Sequence, residues 1–159
     1  MPAICKFGNK LIADTDPSVD SNEWARIFFS HFPSGSSTKC LEHYAQIYKS
    51  KKFQNFDYGK EENMKVYGTN SAQEFNLKNI SVPVAKFTGN SDGLGDLIDN
   101  QWLSEQIAHT LVFDKVYNYG HLTFFIAKDM SYLNDMLNVL NKYHSPEAST
   151  DVSTLLTSS

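Results

Sequence analysis

The first third of the chain places apolar residues at the spacing of amphipathic helices. Trp24, Ile27 and Phe28 fall at positions i, i+3 and i+4, which predicts a helix over 19–30. A Pro-Ser-Gly-Ser run ends this helix, and Thr38 is the expected N-cap of a second helix whose last residues include several lysines. We expect these two helices to pack against each other as a pair.

The rest of the chain alternates between strand and helix patterns. A strand, a helix and a second strand follow one another, and this order predicts parallel neighbours in an α/β sheet. The predicted elements are an extended loop over 53–63, a strand over 81–87, a helix over 97–108, a strand over 111–117 and a last helix whose apolar face, with Leu133, Met136, Leu137 and Leu140, is expected to lie on the sheet.

Composition and charge narrow the range of partners. The 159 residues suffice for one domain of ordinary size, and the 13% of aromatic residues suits a solid core or an apolar binding surface. The 14 Lys and Arg against 18 Asp and Glu leave a net charge of −4 without a basic run, so nucleic acid is disfavoured as a partner. No apolar run reaches the roughly 18–20 residues of a membrane span, and the first residues do not form a signal-peptide pattern.

The two cysteines and the end of the chain carry no recognisable chemistry. Cys5 and Cys40 lack the Cys-x-x-Cys spacing of redox and zinc motifs, so we expect no cofactor and no metal. The Ser/Thr-rich segment 145–159 is predicted to be a flexible tail.

Candidate chemistry lies in the glycine-rich loop after the first predicted strand. Asp92 lies in this loop, and His121 follows the second strand. Because parallel neighbours lie about 4.8 Å apart and end at the same edge of the sheet, the two side chains can come within hydrogen-bond reach. A carboxylate bonded to one imidazole nitrogen leaves the other nitrogen free to act as a general base. The alternative is that Asp92 caps a turn and His121 is an ordinary loop histidine.

The same loop contains a formal G-x-S-x-G match over 89–93, the pattern of a nucleophile elbow, with Ser91 at its centre. In such folds the acid and the histidine follow the serine across further strands, whereas a single strand separates Ser91 from His121. The alternative is a glycine-rich turn, since so short a pattern arises easily by chance. A small hydrolase that uses Ser91 is therefore the weakest of the hypotheses.

Several runs together resemble the acid lipase family, the gastric and lysosomal branch of the α/β-hydrolases. These runs are His31-Phe32-Pro33-Ser34-Gly35-Ser36-Ser37, Phe53-Gln54-x-Phe56-Asp57-Tyr58-Gly59 with Asn63 and Tyr67, Leu77-x-x-Ile80-x-Val82-Pro83-Val84, Gly89-x-x-Asp92-x-Leu94-x-Asp96 and Tyr119-x-His121-Leu122-x-Phe124. The resemblance covers about residues 1–143 in order. This stretch of the chain resembles the C-terminal part of such an enzyme.

The resemblance implies an α/β fold: the C-terminal part of an α/β-hydrolase, with a helical cap remnant, a terminal strand-helix-strand-helix unit and an incomplete sheet. It implies cap-region helices and a junction loop over 1–70, the terminal part of the catalytic core over 71–144 and the tail over 145–159. Asp92 matches the acid of the family's catalytic triad and His121 its base, while Asp96 matches a second acidic residue that we expect to be structural. The aromatic residues of the cap-region helices are expected either to line an acyl-chain site or to pack in a core.

The departures from the family pattern concern the rest of the catalytic machinery. The family's nucleophilic serine and its oxyanion-hole segment lie upstream of the part that this chain resembles, and Thr123 stands where the family commonly has an acid. An acid and a histidine alone cannot perform acyl transfer. The first hypothesis is therefore the C-terminal segment of a lipase-like ester hydrolase, and the alternative is a truncated, non-catalytic homologue that acts in binding or structure.

The resemblance also implies partners and a location. A lipid or ester substrate would bind through the complete enzyme, with a complementing N-terminal lipase segment as a further partner. The family is secreted or lysosomal, and the sequon at Asn79 is consistent with that location, although so short a motif is common by chance.

Overall fold

The computed structural model describes residues 16–32 and 34–143. These residues fall into two compact units, one made of the described residues up to Ser30 and from Val82 onward, the other of the described residues between His31 and Ser81. Cys5 and the predicted tail over 145–159 lie outside the described residues. In chain order the elements are a 3-10 turn (Pro17–Val19), α1 (Asn22–His31), α2 (Thr38–Ser50), α3 (Lys60–Tyr67), a second 3-10 turn (Leu77–Asn79), β1 (Val84–Gly89), α4 (Leu97–Gln106), β2 (Leu111–Tyr117), α5 (Thr123–Ile126) and α6 (Tyr132–Asn141).

The unit β1-α4-β2 is the α/β unit that the sequence predicts. The two strands pair in parallel from Val84 opposite Leu111 to Gly89 opposite Tyr117, and they form a two-stranded sheet within the described residues. The first strand begins at Val84, later than predicted, because Pro83 has no N–H to donate to a ladder. Both strands therefore end at the same edge of the sheet.

An aromatic cluster lies in the core of the compact unit that contains the two strands, beside the end of β2. Tyr117, Tyr119 and Ala127 are buried, and Phe87, Phe124, Met130 and Tyr132 pack against them. The rings of Tyr119 and Phe124 meet edge to face with centroids 5.1 Å apart. Edge-to-face packing is a favoured arrangement of aromatic pairs, so part of the aromatic excess of the chain serves as core.

The last helix, α6, turns a different side toward the sheet from the predicted one. Leu133, Leu137 and Leu140 are exposed, whereas Val139 is buried. Asp135 explains the orientation, because its carboxylate accepts hydrogen bonds from Lys115 Nζ (2.6 Å) and Tyr117 Oη (2.7 Å) on β2. The predicted helix is confirmed, but the prediction that its leucine face lies on the sheet is wrong.

The unit His31–Ser81 corrects two local predictions. Ser37, and not Thr38, caps α2, since its side chain accepts a hydrogen bond from the N–H of Lys39. The prediction of a loop over 53–63 is wrong for residues 60–63, because α3 begins at Lys60. The first two helices belong to different units, so their predicted packing stays a prediction, as do the segment boundaries at residues 70 and 144.

A buried asparagine holds the start of α3. Asn63 is 1% exposed; its Oδ1 accepts from the N–H of Tyr58 (2.9 Å) and its Nδ2 donates to Asp57 Oδ1 (2.7 Å). Gly59, with φ of 84°, lets the chain turn into the helix, and Gly68 in the left-handed region ends it. These bonds join the loop and the helix into one structure.

Candidate catalytic acid and histidine

Two backbone hydrogen bonds tie the loop after β1 to the loop after β2. The N–H of Asn90 donates to the carbonyl oxygen of Tyr117, and the N–H of Ser91 donates to that of Tyr119, both at 2.9 Å. A Cβ atom at Gly89 would overlap the Tyr119 carbonyl, so the residue at this position must be glycine for the backbones to approach. The two loops that carry Asp92 and His121 are thus fixed side by side.

The two carboxylate oxygens of Asp92 have different tasks. Oδ1 accepts hydrogen bonds from the backbone N–H groups of Leu94 (2.8 Å) and Gly95 (2.7 Å), which holds the loop in a tight turn. Oδ2 lies 3.0 Å from Nδ1 of His121. Asp92 therefore caps a turn and contacts the histidine at the same time, so the two roles weighed from the sequence coexist.

The bond to Asp92 determines which nitrogen of His121 carries a proton. A carboxylate can only accept, so Nδ1 donates to Oδ2 and, in the neutral ring, Nε2 is left with a lone pair. The side chain of Asp92 is 12% exposed and that of His121 is 46% exposed. The histidine thus presents an accessible basic nitrogen, and the predicted approach of the two side chains is confirmed.

Residues of α4 hold the far end of the acid loop. The side chain of Asp96 caps α4 by accepting from the N–H of Asp99 (2.9 Å), which confirms its expected structural role. Asn100, which the sequence did not single out, donates from Nδ2 to the carbonyl oxygens of Gly95 (2.8 Å) and Asp96 (2.9 Å). Asparagine inside a helix is a weak helix former, and that preference was the available signal that this side chain has another task.

On the histidine side, the support comes from Thr123, which the sequence marks only as a departure from the family pattern, and from Asp20, which it does not single out. Thr123 Oγ1 accepts from the N–H of Gly120 (2.9 Å) and donates to Asp20 Oδ1 (2.8 Å). Thr123 is fully buried at the first residue of α5. No sequence signal joins positions 20 and 123, because the contact depends on the tertiary fold.

Ser91 lies in the acid loop itself. Its Oγ donates to Asn90 Oδ1 at 3.2 Å, and its backbone N–H takes part in the bond to Tyr119 described above. The hypothesis that Ser91 is a nucleophile stays a prediction.

The described part of the chain was also expected to hold no metal site and no membrane span. Residues 16–32 and 34–143 contain no group of three or more His, Cys, Asp or Glu side chains that could hold a metal ion. None of the helices in these ranges combines the length and the apolar character needed to cross a membrane. An open cavity of about 780 Å³ is lined by residues of α1, which are Asn22, Glu23, Arg26, Ile27 and Ser30, and so it is separate from Asp92 and His121.

A parallel strand-helix-strand unit with an acid after its first strand and a bonded histidine after its second is consistent with part of an α/β-hydrolase fold. No protein-family model matches the chain. Among curated proteins, the gastric triacylglycerol lipase of Rattus norvegicus is 31% identical over 117 residues, which are 72% of this chain and 30% of that protein. The lysosomal acid lipase/cholesteryl ester hydrolase of Homo sapiens is 30% identical over 120 residues, 74% of this chain and 30% of that protein. Lipase member K of Homo sapiens is 28% identical over 143 residues, 88% of this chain and 36% of that protein.

These similarities show that the chain belongs to the acid lipase family, a family of lipase-like hydrolases. The chain spans about a third of the length of the curated relatives that it matches. Two of the relatives are named for the stomach and the lysosome, in agreement with the secreted or lysosomal location that the resemblance implies for the family.

Proposed function

We propose that this chain supplies the acid and the base of a serine-dependent ester hydrolase that acts on lipid esters, with Asp92 as the acid and His121 as the base. The observation that carries the proposal is the bond of 3.0 Å between Asp92 Oδ2 and His121 Nδ1, which leaves Nε2 accessible. The substrates proposed are triacylglycerols or steryl esters, by analogy with the relatives named for them. The nucleophilic serine and the oxyanion donors come from a complementing N-terminal lipase segment.

The proposed reaction needs only proton transfers at His121 from this chain. Nε2 takes the proton of the serine hydroxyl as its oxygen attacks the ester carbonyl carbon, and Asp92 steadies the imidazolium that results. The bond between the carbonyl carbon and the alcohol oxygen then breaks, as Nε2 returns the proton to that oxygen. This step releases the alcohol and leaves an acyl-enzyme. Water repeats the sequence with Nε2 as base, and the fatty acid is released.

The proposed setting is that of the relatives, a secreted or lysosomal protein. Asn79 is exposed in the second 3-10 turn, and its sequon makes it the proposed glycosylation site. Glycosidase treatment of the protein from its own secretory cells tests this assignment, since an Asn79→Gln variant would then show no mass shift.

Hydrolysis of a short and a long acyl ester tests the function. We expect no turnover by the chain alone, and turnover once an acid lipase segment that carries the family's serine is added and its binding is verified by gel filtration. His121→Ala is expected to lower the rate of that complex about 10³-fold or more, because each triad member contributes on this scale. A fluorophosphonate probe, located by mass spectrometry, is expected to label the added serine.

Three outcomes contradict the proposal. Turnover by the chain alone that is abolished in Ser91→Ala would make Ser91 the nucleophile. A verified complex that hydrolyses no ester would favour the non-catalytic binding or structural role. Turnover that is unchanged in His121→Ala would remove the pair from the chemistry.

A further inference from the structure

The buried hydroxyl of Thr123 makes one hydrogen bond as an acceptor and one as a donor. It accepts a hydrogen bond from the N–H of Gly120 at 2.9 Å and donates one to Asp20 Oδ1 at 2.8 Å. Thr123 is 0% exposed and Gly120 is also buried. Leaving a buried polar group unpaired destabilises the folded protein. The two hydrogen bonds therefore determine the direction in which this hydroxyl points.

Backbone hydrogen bonds fix the segment that carries the Asp20 carboxylate. Asp20 forms an antiparallel bridge with Ala127, just after α5. On either side of it, the N–H of Ser21 donates to the carbonyl oxygen of Ile126 (2.6 Å), and the N–H of Lys128 donates to that of Val19 (2.9 Å). The segment 19–21 is therefore attached along the end of α5, and its carboxylate reaches Thr123 at the start of the same helix.

In the sequence, His121 lies between Gly120 and Thr123, the two residues that the first hydrogen bond of the Thr123 hydroxyl joins. Gly120 precedes it, Thr123 follows it by two positions, and the bond between them closes the turn 120–123 around it. The imidazole itself is 46% exposed and is held by Asp92 at Nδ1. An exposed ring on a free turn would sample many orientations, so the orientation of His121 depends on the turn as well as on Asp92.

We propose that Thr123 and Asp20 are positioning residues for His121, which hold its backbone turn so that Nδ1 faces Asp92 and Nε2 faces outward. As a statement about catalysis this rests on the proposed function, but its geometry does not. Thr123 connects the two groups: it accepts a hydrogen bond from the N–H of Gly120 and donates one to the Asp20 carboxylate, 103 residues away in the chain. Neither residue touches the reacting atoms.

The test compares variants of Thr123 in the full chain through the Nδ1–H proton of His121, observed by NMR of the protein with ¹⁵N-labelled histidine. Thr123→Val keeps the shape but loses both hydrogen bonds, so we expect Nδ1–H to exchange with water about tenfold faster or more. Thr123→Ser keeps the hydroxyl and is expected to restore the wild-type rate. Thr110→Val is the matched control, because that hydroxyl bonds the Ile107 carbonyl (3.2 Å) at the end of α4.

Asp20 provides a second route if Thr123→Val does not fold. Asp20→Ala removes the acceptor and is expected to accelerate the exchange as Thr123→Val does, whereas Asp20→Asn keeps an acceptor and is expected to behave like wild type. If both changes act through one bond, the double variant exchanges no faster than the more affected single variant. Wild-type exchange in a folded Thr123→Val or Asp20→Ala variant would overturn the proposal.

The two proposals can fail separately, because this readout does not require turnover. If the exchange responds as expected while a verified complex hydrolyses no ester, the positioning stands and the proposed function fails. If His121→Ala abolishes turnover while Thr123→Val leaves both exchange and rate unchanged, the function stands and the positioning fails.

Discussion

At the scale of single residues, the division of tasks within the Asp92 carboxylate makes Asp92→Asn informative. The backbone N–H groups of Leu94 and Gly95 both point at Oδ1 and will retain the oxygen of the new amide there. The amide NH₂ then faces His121 Nδ1 and forces that nitrogen to accept. We expect the proton of the neutral ring to move to Nε2, which the ¹⁵N chemical shifts of the imidazole report.

A turn carboxylate away from the pair serves as the control for this change. Asp129 Oδ1 accepts from the N–H of Ser131 at 2.8 Å, so Asp129→Asn is expected to leave the His121 shifts unchanged. In the proposed complex, Asp92→Asn is expected to lower kcat about 10⁴-fold, since the wrong nitrogen then carries the proton. A proton that stays on Nδ1 in Asp92→Asn would contradict this account of the pair.

Gly89 is a second residue where the structure permits no side chain. Gly89→Ala would put a methyl group against the carbonyl oxygen of Tyr119, so the loops after β1 and β2 must separate. We expect a loss of about 1–3 kcal/mol in the free energy of unfolding, measured by urea denaturation. Gly35→Ala, where a Cβ meets nothing within 4 Å, is expected to stay within about 0.5 kcal/mol. Equal effects of the two changes would show that the close approach at Gly89 is unimportant.

At the scale of elements, the attachment of α6 to β2 depends on charge. The hydrogen bonds from Lys115 and then Tyr117 hold the pKa of Asp135 below its usual value, while burial raises the pKa of Tyr117. A carboxyl whose pKa is lowered by folding stabilises the fold above its unfolded pKa, about 3.9, and this contribution is lost as the pH falls through the folded value. The attachment of α6 should therefore weaken in acid.

Asp135→Asn tests this pH dependence. The difference in urea midpoint between wild type and Asp135→Asn is expected to be largest near about pH 6 and to shrink toward about pH 3, because protonated aspartic acid resembles the amide. Lys115→Met, which removes the cation instead, is expected to show the same narrowing. A difference that does not change with pH would mean that Asp135 acts through shape alone.

At the scale of the whole molecule, the division into two units predicts that a destabilising substitution mainly affects the unit in which it lies. Asn63 forms its hydrogen bonds to Tyr58 and Asp57 within the unit His31–Ser81. Asn63→Ala leaves buried groups unpaired, so amides of that unit are expected to exchange faster, with a loss of about 1–3 kcal/mol in protection. Hydrogen exchange with mass spectrometry measures this unit by unit. Equal loss of protection in β1 and β2 would show that the two units unfold together.

Parts of the molecule that depend on local pattern could be predicted from the sequence. The two strands of the β1-α4-β2 unit are short runs rich in β-branched and aromatic residues, and the meeting of Asp92 with His121 follows because parallel strands end at one edge. The helix α3 was missed because its first four residues, 60–63, are all charged or polar, although its acidic first turn and basic last turn suit the helix dipole.

What the sequence did not reveal depends on tertiary contacts. The leucine pattern of α6 predicts an apolar face but not which side meets the sheet, because a single carboxylate, Asp135, determines that orientation. The bond between Thr123 and Asp20 joins positions 103 residues apart and leaves no trace in local pattern. The meeting of the acid and the histidine was thus predictable from the sequence, whereas the hydrogen bonds of Thr123 and Asn100 beside them were not.

The turn that Asp92 closes has a consequence for how such proteins would change over generations. A descendant that no longer performed chemistry would still be selected to keep Asp92, because its Oδ1 holds the loop through Leu94 and Gly95. His121, whose imidazole is exposed, could then be replaced by other residues. Under the proposed function, retention of the histidine rather than of the aspartate among relatives of this chain is therefore the mark of a lineage still under selection for turnover.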